Sequence, residues 1–391
     1  MASTPEPRTL SLASPTHGPR SFSGWTRSAI AELAASQGRI LSLFESSVPE
    51  PTHLLTETAA LAFGRGFTDH YAGTFVSGNP FVVSQLCQRY GVDASSVLCT
   101  TGASSALSLI YRACLKPGDR VLIEKPGFDL FEILATLLGI GVDRFERSAP
   151  AFTLDPAKLA QALHPRTRLI VCTDLHNPSG SLATPEALRE IGALARRQEA
   201  LVAVDEVYAD YAGPARRAAA TLGDNFFSIS SLTKNYGLST LRCGWVIANP
   251  RILAAVRHVY DETDFGVSKL AHSVAAFVLE QRDAYDRHWQ DMLRESRPVM
   301  QRQHESWAAA GLVSGQVPAH GCIYFPRLTG VDNTGRFTAR AAREHGVYLA
   351  PGEYFDAPGH VRIGFGQPVE KLREALARLT AALQAHRRGS G

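Results

Sequence analysis

Residues Ser230 to Trp245 read SSLTKNYGLSTLRCGW: a single lysine, Lys234, stands among small and hydroxyl-bearing residues, with an arginine, Arg242, eight positions further on. The run before it, NFFSISS, is apolar enough to form a strand, so Lys234 falls just past a strand end. A lysine in a loop is ordinarily a solvated charge. One held in a partly desolvated crevice loses proton affinity and can attack a carbonyl. The residues at the neighbouring strand ends decide between the two.

Outward from that stretch, the runs SVLCT, DRVLIE, RLIVCTD, ALVAVDE, NFFSIS and RCGWVIA alternate with segments of helical apolar spacing such as TPEALREIGALARRQ. Short, continuously apolar strands alternating with helices predict an α/β fold, a mostly parallel sheet with helices on both faces. The pattern runs from about Pro51 to about Asn249. A long helical stretch over 271–310 then reads as a connector. Beyond it, CIYFPRL, GVYLAPG and HVRIGFG read as short strands and PVEKLREALARLTAALQAH as an amphipathic final helix, which makes a smaller α+β domain. The expected division is a flexible leader at 1–20, an N-terminal segment at 21–50 packed with the small domain, a large domain at 51–270, and the connecting helix with the small C-terminal domain at 271–391.

Ligands of an open parallel sheet bind outside the carboxyl ends of its strands. After VLCT comes TGASSAL, where Gly102, Ala103 and Ser104 present amides at the positive end of a helix dipole; this is a phosphate cradle in outline, or simply a capped turn. After RLIVCTD comes LHNPSG. The Asn177 amide can donate to an oxyanion there, while an ordinary Asn-Pro turn is the plainer alternative. After ALVAV comes DEVYADY, in which Asp205 would end a wholly apolar strand, and a half-buried carboxylate needs a cationic or hydrogen-bonding partner. Tyr208 follows three residues later, as packing or as a phenolic donor. With Lys234, four strand ends supply a phosphate cradle, an oxygen-directed donor, a carboxylate and a lysine. An aldehyde-bearing pyridinium phosphate would use all four.

Composition narrows the partners. With 391 residues, 45% hydrophobic and 20% charged, the chain is of ordinary globular make-up. A net charge of +3, from 40 basic and 37 acidic residues dispersed along it, offers no broad field for nucleic acid or anionic lipid. No apolar run is long enough for a membrane span, the nearest, LFEILATLLGIGV, being interrupted by Glu132 and glycines. The six cysteines show no CxxC pairing, which suits a reducing cytoplasm, and no metal site is expected.

The ordered motifs TTGASSAL, NPSG, DEVY and SSLTKNYGLSTLRCG resemble those of the fold-type I pyridoxal-phosphate enzymes, specifically the class I/II aminotransferases, over nearly the whole chain after the leader. Ser231 lies three before the lysine and Arg242 eight after it; Asn177 to Asp205 spans 28 residues and Asp205 to Lys234 spans 29. The resemblance implies a seven-stranded large-domain sheet and pyridoxal 5'-phosphate bound to Lys234 as a Schiff base. It assigns Asp205 to the pyridine nitrogen, Asn177 and Tyr208 to the ring oxygen, and Ser231, Arg242 and the turn Gly102, Ala103 and Ser104 to the phosphate. Phe128, in EKPGFDLF, matches the aromatic position that stacks on the ring. Tyr71 matches a tyrosine that reaches the neighbouring subunit's phosphate, which implies a homodimer with shared active sites. Arg362, in GHVRIGFG, matches the arginine that grips the substrate α-carboxylate. The implied reaction moves an amino group between an L-amino acid and a 2-oxo acid, with Lys234 as base.

The chain also departs from the pattern. LSLFESSVPEP replaces a glycine-rich segment ending Gly-Glu-Pro beside the substrate, so Phe44 and Glu45 would reshape the pocket, and Thr233 replaces a smaller residue or serine. Where aspartate-specific members carry an arginine, this chain has YDETDF. Asp261, Glu262 and Asp264 would repel a dicarboxylate if they faced the pocket, which directs expectation to a neutral or cationic amino donor. The same apparatus can also serve β-elimination, cyclisation of an arginine derivative or oxidation. A cofactor-binding transcriptional regulator would need a DNA-binding module, for which the leader is too short and too poor in basic helical pattern.

Overall fold

The structure is a computed structural model that describes residues 21–213 and 216–389; the leader expected at 1–20 lies outside them. Its centre is a seven-stranded sheet in the spatial order Val97–Thr100, Gly244–Ala248, Phe226–Ser231, Leu201–Asp205, Thr167–Thr173, Arg120–Lys125, Gly141–Glu146. Only Gly244–Ala248 runs against the others. Both faces are covered, which is why these strands read as unbroken apolar runs. Leu169, Val171, Ala203 and Phe227 pack with Leu107 and Ile110 of the helix Ala103–Cys114, while Ile170, Cys172, Val202 and Val204 pack with Leu188 and Ile191 of the helix Pro185–Arg197. The start of the latter follows from local chemistry: Thr184 Oγ1 accepts the Ala187 amide at 3.1 Å, and Pro185 occupies the first turn.

Six of the seven strands match the sequence expectation. The seventh, Gly141–Glu146, is an edge strand whose Asp143, Arg144 and Glu146 hide its period; charge on an edge discourages pairing with another chain. The helical stretch expected over 271–310 is two helices, Lys269–Glu280 and Arg282–Ala309, parted at Gln281. Lys269–Glu280 rests on Thr52–Phe63 and Pro80–Tyr90, so a domain boundary at 270 would cut the first turn of a helix that packs with the larger part.

The C-terminal part builds a three-stranded sheet with Val361–Gly364 between Ile323–Tyr324 and Ala350–Pro351, covered by the final helix Val369–Gly389. The N-terminal segment joins it, since Leu41–Ser42 pairs in parallel with Val347–Tyr348. From there residues 43–48 cross to the large sheet as a strap. The Leu43 amide donates to Tyr348 O at 2.8 Å, Leu43 O accepts from the Gly364 amide at 2.6 Å, and the Val48 amide donates to Lys234 O at 3.3 Å. The strap lies so close to Val361–Gly364 that a Cβ on Gly364 would stand 1.6 Å from Glu45 O. Only glycine fits, because the obstacle is backbone on both sides. Gly364→Ala is therefore expected to cost at least about 2 kcal/mol in chemical denaturation, whereas Gly73→Ala, where a Cβ meets nothing within 4 Å, leaves the midpoint nearly unchanged.

Candidate active site

Lys234 follows the strand Phe226–Ser231 by a short turn, and its backbone oxygen is fixed by the Tyr211 hydroxyl at 2.8 Å and the Val48 amide. Its Nζ donates to Ser46 Oγ at 3.2 Å and lies 5.8 Å from the centroid of the Tyr208 ring. Asp205 ends the adjacent strand, Leu201–Asp205, with only 9% of its surface exposed. Burial pushes its carboxyl up to about 6, opposed by the Val207 amide, 3.2 Å from Oδ1, and by the charge of Lys234. The base and the acid that the sequence placed on two strand ends thus lie within electrostatic reach of each other.

A second pair comes from the two halves of the structure. Arg362, 2% exposed, donates through Nη1 to Asn177 Oδ1 at 2.8 Å and through Nη2 to Phe44 O at 3.1 Å. The rings of Phe22 and Phe355 lie 4.8 and 4.9 Å from its guanidinium carbon. Its Nε is buried and, among the described residues, has no hydrogen-bond partner. Asn177 is itself held from beneath: its amide donates to Thr173 Oγ1 at 2.9 Å, the Thr173 hydroxyl donates to Glu124 Oε1 at 2.5 Å, and Glu124 Oε2 meets Arg147 Nε at 2.9 Å. Burial raises Glu124 to about 7, with Arg147 pulling the other way.

The turn that opens the helix Ala103–Cys114 is built as a space. The helix Ala103–Cys114 begins at Gly102 with no side-chain cap, which leaves the Ala103 and Ser104 amides open at its positive end. The Gly102 amide is not one of the open donors, because it donates to Thr100 O at 2.8 Å. What Gly102 contributes is absence: it has φ +82°, and a Cβ there would lie 2.5 Å from Arg242 Nη2. Arg242 sits in the left-handed region at φ 47°, touches Thr101 O at 3.3 Å and is otherwise exposed, while the buried Ser231 Oγ accepts the Thr233 amide at 3.3 Å.

Phe128 packs edge-on against Phe131 and Phe22, at centroid distances of 5.9 and 6.4 Å. Tyr71 stands elsewhere, stacked on Phe67 at 4.1 Å with Lys269 Nζ 3.8 Å from its centroid. Asp261 and Glu262 are exposed at the end of the helix Pro250–Thr263. Ser46 and Phe22 escaped the sequence reading, and Phe44 was named there for its bulk and not for its carbonyl. Ser46 and the Phe44 carbonyl lie in the aberrant FESSV segment, which was a usable signal, whereas Phe22 lay at the edge of a featureless leader. A cavity of about 680 Å³ is lined by Arg89, Glu206, Asp210 and Arg216 among others, and none of the expected site residues lines it.

The open amides beside Arg242, the raised carboxyl of Asp205 next to Lys234 and the orphan Nε of Arg362 fit pyridoxal phosphate and an amino acid carboxylate. Fold and site together define a pyridoxal-phosphate enzyme of the aspartate aminotransferase-like α/β class. The family model for aminotransferase class I and II matches residues 70–379. The chain belongs to that family and is a pyridoxal-phosphate-dependent aminotransferase.

Capreomycidine synthase of Streptomyces vinaceus is 32% identical over 75% of this chain and 76% of that one; a probable N-acetyl-LL-diaminopimelate aminotransferase of Bacillus subtilis is 29% identical over 74% of each. Among solved structures, the pyridoxal-phosphate-dependent cyclase OrfR superposes with a TM-score of 0.82 at 25% identity, covering 96% of this chain and 100% of that one.

The raised Asp205 carboxyl has a consequence with a definite sign. A carboxyl whose folded value exceeds its unfolded value favours folding at low pH, and that contribution is lost as pH climbs from about 4 through about 6. Asp205→Asn should therefore stabilise the cofactor-free protein at pH 8, by on the order of 3 kcal/mol, with the gain vanishing below pH 4. Thermal scans of apo variant and apo parent at the two pH values measure this.

Proposed function

We propose that Lys234 holds the cofactor's aldehyde carbon and, when freed by the substrate amine, takes the substrate α-proton. The bound cofactor supplies an electron-poor pyridinium that absorbs the negative charge left by that proton. Asp205 pairs with the ring nitrogen and keeps it protonated; Asn177 and Tyr208 hold the ring oxygen, and Phe128 takes a ring face. The Ala103 and Ser104 amides, Ser231 and Arg242 bind the phosphate, with the bare Gly102 making room for it. Arg362 grips the α-carboxylate, using the buried Nε that has no partner among the described residues.

The observation that carries this reading is the convergence of Lys234, Asp205 and Tyr208 from the large sheet on one crevice with an Arg362 bonded to Asn177. A neutral or cationic amino donor, with a 2-oxo acid as acceptor, follows where the acidic run borders the pocket; Asp261 and Glu262 are exposed and Asp264 is half-buried. We divide the chain into an N-terminal segment at 21–50, a large domain extended to Gln281 and a small domain beyond; support comes from the packing of Lys269–Glu280 and the pairing of Leu41–Ser42.

A homodimer with shared sites is supported by the apolar surface around Tyr71, where Phe67, Phe75, Val76 and Phe265 are 68, 70, 81 and 94% exposed. Among the described residues no helix is long and apolar enough to cross a membrane, and the buried thiols Cys99, Cys172, Cys243 and Cys322 suit our assignment to the cytoplasm.

A second reading, in which the same proton abstraction leads to elimination or cyclisation, is favoured by one observation: the 32% identical relative and the structural neighbour OrfR bear the names of a synthase and a cyclase. Absorbance spectra of the purified holoenzyme before and after acidic, neutral and basic amino acids, with assays for keto acid and ammonia, separate these readings: transamination would give keto acid without ammonia and leave the amine form of the cofactor, elimination would give keto acid with ammonia, and cyclisation would give neither, the last two leaving the spectrum of the resting enzyme. Lys234→Ala should lose both the lysine-linked absorbance and turnover; a variant that kept both would refute the role of Lys234. In gel filtration, Phe265→Asp with Phe75→Asp should shift the protein to the monomer and cut activity at least tenfold.

A further inference from the structure

Beside the residues assigned so far, the amine of Lys234 has a protein partner of its own. Ser46 Oγ accepts its hydrogen bond at 3.2 Å, and Ser46 is 7% exposed. Among the described residues the hydroxyl meets no other polar group, so it is free to serve the lysine and whatever the lysine acts on. The serine stands at the place where the glycine-rich segment would be expected, in the stretch LFESSVPEP that departs from the family pattern.

Its position is imposed by backbone on both sides. Towards the C-terminal part, Gly364 leaves no room for even a methyl group against Glu45 O. Towards the large sheet, a Cβ on Gly237 would lie 2.7 Å from both Val48 O and Pro49 O. Two bare glycines thus clamp the strap, one at Glu45 directly before Ser46 and one at Val48 and Pro49 two to three residues after it, and the Leu43 and Val48 hydrogen bonds peg its ends. The same strap turns the Phe44 carbonyl onto Arg362 Nη2 at 3.1 Å. Two residues apart, then, it touches the group assigned to the substrate carboxylate and the group assigned to the substrate α-proton.

Resting on the role of Lys234 given above, we propose that Ser46 is a positioning residue for the lysine amine: its hydroxyl holds Nζ in one orientation whenever the amine is free. A lysine carries four rotatable bonds, and an untethered amine spends most of its time misdirected. A hydrogen bond to a hydroxyl on a clamped strap restricts that motion, and misplacement by about 1 Å can cost on the order of 100-fold in rate. The inference predicts an effect on the proton-transfer step, with carboxylate binding at Arg362 left intact.

The test compares Ser46→Ala and Ser46→Thr in the holoenzyme, with an amino acid that the parent turns over. Ser46→Ala is expected to lower kcat about tenfold with KM within twofold, to enlarge the kinetic isotope effect of the α-deuterated donor, and to retain cofactor stoichiometry; Ser46→Thr restores most of kcat. An independent readout needs no turnover: in the cofactor-free protein, acetic anhydride should label Lys234 at least threefold faster in Ser46→Ala than in the parent, relative to the exposed Lys371, as read by mass spectrometry. The proposal is overturned if kcat, isotope effect and labelling match the parent, or if kcat falls only in step with thermal midpoint or cofactor occupancy. Failure of the Lys234 assignment itself would look different, as turnover surviving in Lys234→Ala.

Discussion

A buried arginine organises this site. Arg362 enters from the C-terminal sheet with almost no exposure, and a charge taken that far from water survives only if the surrounding groups replace its solvation. Asn177 Oδ1, the Phe44 carbonyl and the two flanking phenyl rings do so, and each arrives from a different part of the chain. The large sheet, the strap and the first helix therefore close around one guanidinium. Among the described residues its Nε has no acceptor, which is where the proposed substrate carboxylate would complete the set.

The second constraint is electrostatic and lies on the sheet itself. Parallel strands 201–205 and 226–231 end side by side, so a carboxylate after one and a lysine after the other share a desolvated floor. Burial disfavours ionised Asp205, and under the proposed assignment a cationic ring nitrogen would offset that cost. Behind Asn177, the chain through Thr173 to Glu124 and Arg147 supplies a rigid, fully buried backing. Rigid backing matters because the polar groups in front must meet their ligand without reorganising.

Legibility differed from one residue to the next. Asn177, Asp205 and Lys234 drew attention in the sequence because each lies at the end of an apolar strand or within four residues of it, where a polar side chain calls for a reason. Gly102 was read for the wrong reason: its amide is spent on Thr100 O, and its use is to leave space beside Arg242. The edge strand Gly141–Glu146 escaped because charged residues blur its alternation, and the break at Gln281 escaped because no glycine or proline stands there to mark it. Phe22 carried no signal, since nothing in a lone phenylalanine after a polar leader announces a ring laid over an arginine.

By itself the sequence determined the alternation of strand and helix, the order of the motifs and hence the family and cofactor, because these depend on local periodicity and on residue types at set offsets. The tertiary structure alone decided what touches what across long separations. Ser46 meets a lysine 188 positions away and Phe44 an arginine 318 positions away, contacts that arise because the strap is wedged between Gly237 and Gly364. No local pattern encodes such a fit, since it is the excluded volume of two distant backbones that sets it.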